Sequence, residues 1–243
     1  MGICGRFLAN TLVPPTCLIC DRLVEREGGC CAACWNELHF IAPPFCPVMG
    51  TPFVFDPGSG LLSAEAIATP PPFEKLRAAL VYNQQARRLV SLLKYSDRTD
   101  LAPWMARWMY DAANTLIGDC DVVVPVPLHR TRIVSRRFNQ SAELARHIAS
   151  VSGVKFAPEY LVRHKRTTQQ VGLSRNQREQ NLAGAFVVPE EHRADVNSAR
   201  ILLIDDVYTT GATVRAATRS LKRAGAHTVL VLVFAKVDHH LSQ

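Results

Sequence analysis

The segment Ile201-Leu-Leu-Ile-Asp-Asp-Val-Tyr-Thr-Thr-Gly-Ala-Thr213 constrains this chain more than any other. A short apolar run of strand length ends in two adjacent carboxylates, Asp205 and Asp206. A loop follows through Val207, Thr209, Thr210 and Gly211. A helical pattern then opens at Ala212 and Thr213, with Val214, Ala217, Leu221 and Ala224 on one face and Gly225 as its stop. In open α/β sheets ligands bind at the carboxyl ends of the strands. A helix N-terminus offers free N–H groups and about half a positive charge, which suits a phosphate. Gly211 lets the backbone approach a ligand, and the three threonines add hydroxyl donors. Two carboxylates would repel a lone phosphate, so they must meet something else, such as ribose hydroxyls or a metal-bound group. A sugar diol beside a 5-phosphate is the simplest ligand that satisfies both halves. The plainer account, a threonine-capped helix after a core strand, leaves the paired acids unexplained. The Walker A pattern and the GxGxxG dinucleotide loop are both absent.

The rest of the chain supplies a matching frame. Its 243 residues are 48% hydrophobic and 20% charged, enough for a real core. From Phe73 onward strands and helices alternate. Strands are expected at Ala78–Tyr82, Asp121–Val126, Tyr160–Val162, Ala185–Val188, Arg200–Ile204 and Thr228–Phe234. Helices are expected at Ala86–Tyr95, Ala102–Leu116, Asn139–Val151 and Ala212–Ala224. The alternation implies a parallel sheet covered on both sides. Residues 51–72, with Pro52, Pro57, Gly58, Gly60 and Pro70-Pro71-Pro72, read as a linker. Three parts follow: a cysteine-rich module at 1–50, the linker, and an α/β domain at 73–243. No stretch of 18 apolar residues occurs, and the N-terminus lacks the pattern of a signal peptide or a myristoylation site, so a soluble cytoplasmic protein is expected.

Seven of the eight cysteines fall within the first 46 residues. Cys17-x-x-Cys20 and Cys31-x-x-Cys34 form two knuckles ten residues apart, and two such knuckles complete a tetrahedral zinc site. Four sulfurs close the coordination shell, so the predicted role is structural. Cys30 could replace Cys31, and Cys46 or His39 could replace another ligand. A disulfide pair suits a chain without an export signal poorly, and the context of a redox CxxC is not visible.

Charge is concentrated. Lysine and arginine number 28 against 21 acids, a net +7. Eleven of the basic residues and only two acids lie between His129 and Arg178, leaving 17 basic and 19 acidic residues elsewhere. Of the basic residues 22 are arginine, whose fork grips phosphate oxygens two at a time. The stretch suits a polyanion or phosphate ester as partner, or a solvated surface.

These motifs together resemble a known family. Segment 201–213 resembles the phosphoribosyl pyrophosphate (PRPP) loop of type I phosphoribosyltransferases. Tyr82 to Lys94-Tyr95, Val124-Pro-Val-Pro-Leu-His129 with Arg132, Arg137-Phe-Asn-Gln140, and Gln170 to Arg178 with Asn181 resemble blocks of the competence protein ComF family. The cysteine knuckles resemble that family's N-terminal zinc ribbon. One departure is Cys46-Pro-Val-Met49, where family members often carry a third CxxC. The resemblance implies an α/β fold, a type I phosphoribosyltransferase-like parallel sheet flanked by helices with a small N-terminal zinc-ribbon module. It implies that Asp205 and Asp206 hold the ribose 2- and 3-hydroxyls as the catalytic acids. Val207 and Thr209 to Thr213 would cradle the 5-phosphate. Pro127, Arg130 and Arg132 would face the pyrophosphate, which carries magnesium. Arg166, Gln170, Arg175 and Arg178 would belong to a flexible loop that closes during reaction.

Two functions follow from the resemblance. One is phosphoribosyl transfer from PRPP, or binding of a related ribose 5-phosphate ligand, with a nitrogen acceptor that the sequence does not name. The other is a part in DNA uptake during natural transformation, with single-stranded DNA and a helicase-like protein as partners. Glutamine-dependent amidotransfer is not expected, because Gly2 stands where a catalytic cysteine would be needed and there is no room for a glutaminase domain.

Overall fold

The computed structural model describes residues 14–58, 60–95, 98–128, 138–165, 182 and 184–238. Its centre is a five-stranded sheet in the order β1-β7-β6-β2-β3, from strands β1 (Lys75–Val81), β2 (Val122–Pro125), β3 (Lys155–Phe156), β6 (Arg200–Tyr208) and β7 (Thr228–Lys236). All four pairings are parallel. The central strands are apolar nearly throughout, as a sheet covered on both faces requires. A separate two-stranded antiparallel ribbon joins β4 (Val162–Arg163) to β5 (Phe186–Val187).

Alternation along the strands divides the core in two. Leu202, Ile204, Leu230, Leu232 and Phe234 face helices α3 (Gln84–Tyr95), α4 (Ala102–Ile117) and α5 (Gln140–Ser152). Cys17, Leu18, Cys34 and Leu38 of the cysteine module join this cluster, alongside the short helix α1 (Ala32–Asn36). Ile201, Leu203, Val229, Val231 and Val233 form the other cluster with Val214, Ala217 and Leu221 of helix α7 (Ala212–Arg223). Cys46, Met49, Ala66 and Phe73 pack there too.

Several boundaries differ from those read in the sequence. β1 begins at Lys75, and β6 runs four residues past Ile204 because ladder pairing is a property of the backbone. Asp205 pairs in register with Val233, and Val207 with Ala235. At the expected strand Tyr160–Val162, Pro158 opens a 3₁₀ turn through Tyr160, and the strand is confined to Val162–Arg163. The proline-rich stretch 51–72 carries helix α2 (Ala64–Ala68), capped by Ser63, whose Oγ accepts from the Ala66 N–H. Its carbonyls at Thr69 and Pro70 accept 2.9 and 3.0 Å hydrogen bonds from the buried Arg215 of α7. Between β5 and β6 lies α6 (Arg193–Val196). Among the described residues no helix is long and apolar enough to cross a membrane.

Candidate functional site

β6 carries Asp205 and Asp206 to the carboxyl edge of the sheet, and both are buried. Asp205 Oδ1 accepts from Ser141 Oγ, at the first turn of α5, and from the Asp206 N–H, each at 2.9 Å. Asp206 Oδ1 accepts from the Val207 N–H at 2.8 Å, and its other oxygen forms an ion pair with Lys94 near the end of α3. Burial, and then the charge of Asp206, push the Asp205 carboxyl up to about 7, against the opposing pull of Ser141, the Asp206 N–H and Lys94. The pair is therefore a concentrated acceptor site that Lys94 only partly neutralises. Such a site can take hydroxyl donors or a cation.

Beyond the acids, Thr209 is exposed and Thr210 and Thr213 are half-buried. Gly211 occupies the N-cap of α7 at φ 75°, a conformation that favours glycine. A Cβ there would lie 2.2 Å from Tyr208 Oη. Tyr208 is fully buried and turns its hydroxyl to Glu65 of α2. Gly211 thus lets the chain pass over the tyrosine and start α7 with its N–H groups unmasked by a capping side chain.

Asn139 positions the neighbouring edge. Its Nδ2 donates to the Val126 carbonyl, its Oδ1 accepts from the Ser141 N–H, and the Val126 N–H donates to the Ile204 carbonyl. These bonds tie the segment leading to the half-buried Pro127 to the start of α5 and to β6. Arg130, Arg132, Arg166, Gln170, Arg175 and Arg178 lie outside the described residues.

Sequence reasoning missed Lys94, Ser141 and a buried cluster at the end of β7. There Lys236 donates to Thr51 Oγ1 at 2.5 Å, to Glu65 Oε2 at 3.0 Å and to the Met49 carbonyl at 3.3 Å. An apolar strand ending in an isolated lysine was the available signal, since a lysine is rarely buried without a partner.

The cysteine module brings Cys17, Cys20, Cys31 and Cys34 together, with all four sulfurs within 4.8 Å of one another. Cys20 and Cys31 Sγ are 3.6 Å apart, close to the sulfur separation of about 3.8 Å that a tetrahedral zinc with 2.3 Å bonds requires. Backbone N–H groups of Cys31 and Ile19 donate to Cys17 Sγ at 3.3 and 3.5 Å. Burial pushes the Cys17 thiol up, but these and neighbouring donors outweigh it and bring the thiol down to about 6. Burial pushes Cys30 up to about 12. Cys46 is buried in the other cluster, where the N–H groups of Met49 and Ser63 point at its sulfur. The four clustered cysteines form a site that could hold zinc.

A parallel sheet, an acidic strand end and a glycine-started helix together make an α/β domain with paired carboxylates beside a helix N-terminus. Residues 107–241 match the phosphoribosyl transferase domain family and residues 8–67 the double zinc ribbon domain. The chain belongs to the phosphoribosyl transferase domain family, with an N-terminal double zinc ribbon. It is 30% identical over 225 residues to the DNA utilization protein YhgH of Salmonella typhimurium, covering 90% of this chain and 96% of that protein. Identity is 24% over 226 residues to Competence protein F of Haemophilus influenzae, with coverage of 90% and 96%. It is 23% over 233 residues to Competence protein ComFC of Bacillus subtilis, with coverage of 86% and 89%. The resemblance carried by the motifs is borne out over most of the chain.

Proposed function

We propose that this protein binds PRPP, or a related ribose 5-phosphate ligand, at the loop after β6 and acts in DNA uptake in the cytoplasm. The observation that carries the ligand half is the buried Asp205–Asp206 pair, set directly before a helix that starts on a glycine at φ 75°. The acids take the ribose hydroxyls and Thr209 to Thr213 take the 5-phosphate. Pro127, Arg130 and Arg132 take the pyrophosphate side with magnesium, and Arg166 to Arg178 form the closing loop. The names of the relatives support the DNA half, as do the eleven basic residues between His129 and Arg178. Its partners are incoming single-stranded DNA and a helicase-like uptake protein. Zinc at Cys17, Cys20, Cys31 and Cys34 holds the ribbon.

Calorimetric titration with PRPP and magnesium tests the ligand half, on the wild type and on Asp205→Asn/Asp206→Asn. Binding that the double variant loses supports the reading. Absence of binding to the wild type at millimolar ligand overturns it.

A further inference from the structure

The N-terminal module repeats its own backbone. Around Cys17 the chain makes a tight turn: the Cys17 N–H donates to the Arg22 carbonyl, the Asp21 N–H donates to the Cys17 carbonyl, and Thr16 bridges Leu23. The same three links recur around Cys46. The Cys46 N–H donates to the Thr51 carbonyl, the Gly50 N–H donates to the Cys46 carbonyl, and Phe45 bridges Pro52. Asp21 and Gly50 hold matching positive φ values of 61° and 58°. Each turn is followed by a five-residue helix, α1 or α2, with an extended N-cap: Cys31 at φ −65° and ψ 156°, Ser63 at φ −66° and ψ 154°. In both halves the N-cap N–H donates to the sulfur of the first cysteine, Cys31 to Cys17 and Ser63 to Cys46, each at 3.3 Å. The backbone is one motif built twice. Its second half puts Cys46, Met49, Ser63 and Ala66 where the first has Cys17, Cys20, Cys31 and Cys34.

The double zinc ribbon family implies a metal in each half, but the second set of residues does not fit one. Tetrahedral zinc takes four donors from thiolate, imidazole or carboxylate groups. Here one thiol stands beside a neutral thioether, a hydroxyl and a methyl group. Ser63 Oγ is engaged in capping α2, and the neighbouring Glu65 turns to Lys236 and Tyr208. All four positions are buried: Cys46 and Met49 at 0%, Ala66 at 5% and Ser63 at 7%. A dication among them would meet a single negative charge away from water, which is unfavourable.

We infer that the second half of the ribbon is a metal-free copy of the first, in which contacts with the α/β domain replace the zinc. The inference rests on the reading of Cys17, Cys20, Cys31 and Cys34 as the zinc site of the first half. Three successive carbonyls of the second turn reach the domain. That of Pro47 accepts from Arg77 Nη1 at 3.1 Å, that of Val48 from the Leu76 N–H at 2.7 Å, and that of Met49 from Lys236 at 3.3 Å. Gly50 lies so close to β1 that a Cβ would stand 2.7 Å from the Leu76 carbonyl oxygen. Cys46, Met49 and Ala66 pack with Phe73 and Leu76 in one core cluster. A ribbon this small ordinarily takes its folding energy from the metal; the second half takes it from the sheet. Loss of zinc therefore frees the first half and leaves the second seated. Phe53 and Phe55, which line the cavity beside the loop after β6, keep their place without zinc.

The test joins zinc determination to hydrogen exchange, both on the full chain. Zinc is counted in the wild type and in Met49→Cys/Ser63→Cys/Ala66→Cys, which restores a four-sulfur set, each produced with zinc in excess. About one zinc per wild-type chain and about two per variant chain support the inference. A second zinc on the wild type overturns it, as does a folded variant that gains none. If the wild type carries no zinc and the variant gains one, the reading of the first half falls and this inference stands. Hydrogen exchange of the wild type before and after zinc is stripped by a chelator decides the matter where the triple variant does not fold. The amides of Cys31 and Trp35 should exchange at least about tenfold faster without zinc, and those of Cys46, Gly50 and Ile67 should change less than about twofold. Acceleration at Cys46, Gly50 and Ile67 equal to that at Cys31 and Trp35 overturns the inference.

Discussion

Replacing Asp205 with asparagine should stabilise the protein in mild alkali far more than in mild acid. Asp205 is 9% exposed, and burial followed by the charge of Asp206 raises its pKa from 3.8 to about 7. The folded protein therefore holds this proton more tightly than the unfolded chain does. Stability falls as pH climbs from about 4 to about 7, and stays lowered above that. A difference of roughly three pH units at 1.36 kcal/mol each bounds the effect at about 4 kcal/mol. Asparagine carries no charge and keeps an oxygen for the Ser141 hydroxyl and the Asp206 N–H. Its amide N–H groups need new partners, a cost of about 1–2 kcal/mol that does not vary with pH. Allowing for local relaxation around Lys94, the variant should gain about 2 kcal/mol on the wild type between pH 5 and pH 8. For a chain of this size that is a change of about 4–8 °C in the difference between their melting temperatures. Calorimetric melts of both proteins at the two pH values measure it. The cysteine centre has its own pH dependence, but it is common to both proteins and cancels in the difference. A difference that is the same at pH 5 and pH 8, or larger at pH 5, would refute the assignment of a strained acid pair.

Three further outcomes follow from the same structure. Cys31→Ser should lose the bound metal and much of the ribbon's stability, since structural zinc contributes on the order of 10–16 kcal/mol apparent. Metal analysis should give about one zinc per chain in the wild type and in Cys46→Ser but little in Cys31→Ser; retention of full zinc by Cys31→Ser refutes the ligand set. Gly211→Ala should cost about 2–4 kcal/mol, from a left-handed alanine and from displacement of Tyr208, and should also weaken ribose 5-phosphate binding. An unchanged melting temperature would count against that packing. If the basic 129–178 stretch neutralises about four phosphates, the logarithm of single-stranded DNA affinity should fall with log salt at a slope near −3. Affinity that ignores salt speaks against a phosphate-led interface.

Much of the frame was legible because it rests on local pattern. The β-branched and leucine runs of β2, β6 and β7 mark buried parallel strands, and Gly153 and Gly225 follow α5 and α7 as stop signals should. The acid pair, the threonines and Gly211 sit in one continuous stretch, so the strand end, the loop and the helix start could be read together. The groups that set its electrostatics could not. Lys94 reaches Asp206 from α3, and Ser141 reaches Asp205 across 64 positions of sequence. Glu65 meets Lys236 across 171. Periodicity assigns a residue to a face of its own element and carries no information about which distant element packs there. The adjacent Cys30 and Cys31 posed the same difficulty, because spacing admits either and only the packed module brings Cys31 among the other three sulfurs.

The packing also bears on why a ribbon precedes this sheet. β1 is an edge strand, and an uncovered edge exposes unpaired N–H and C=O groups. Residues that follow the four-cysteine centre within the ribbon cover it. Phe40 bridges Leu80, the Ile41 N–H donates to the Ala79 carbonyl, and the Val81 N–H donates to that of His39, both at 2.9 Å. The chain then turns to the opposite face, where Cys46 and Met49 are buried, and α2 meets the end of β7 through Glu65 and Lys236. Arg215 of α7 grips the carbonyls that follow α2. One continuous segment thus seals the sheet edge, lines a cavity with the loop after β6 and anchors to the helix that this loop begins. The cysteine centre stands at the head of that segment, so what fixes the ribbon also fixes where the segment starts.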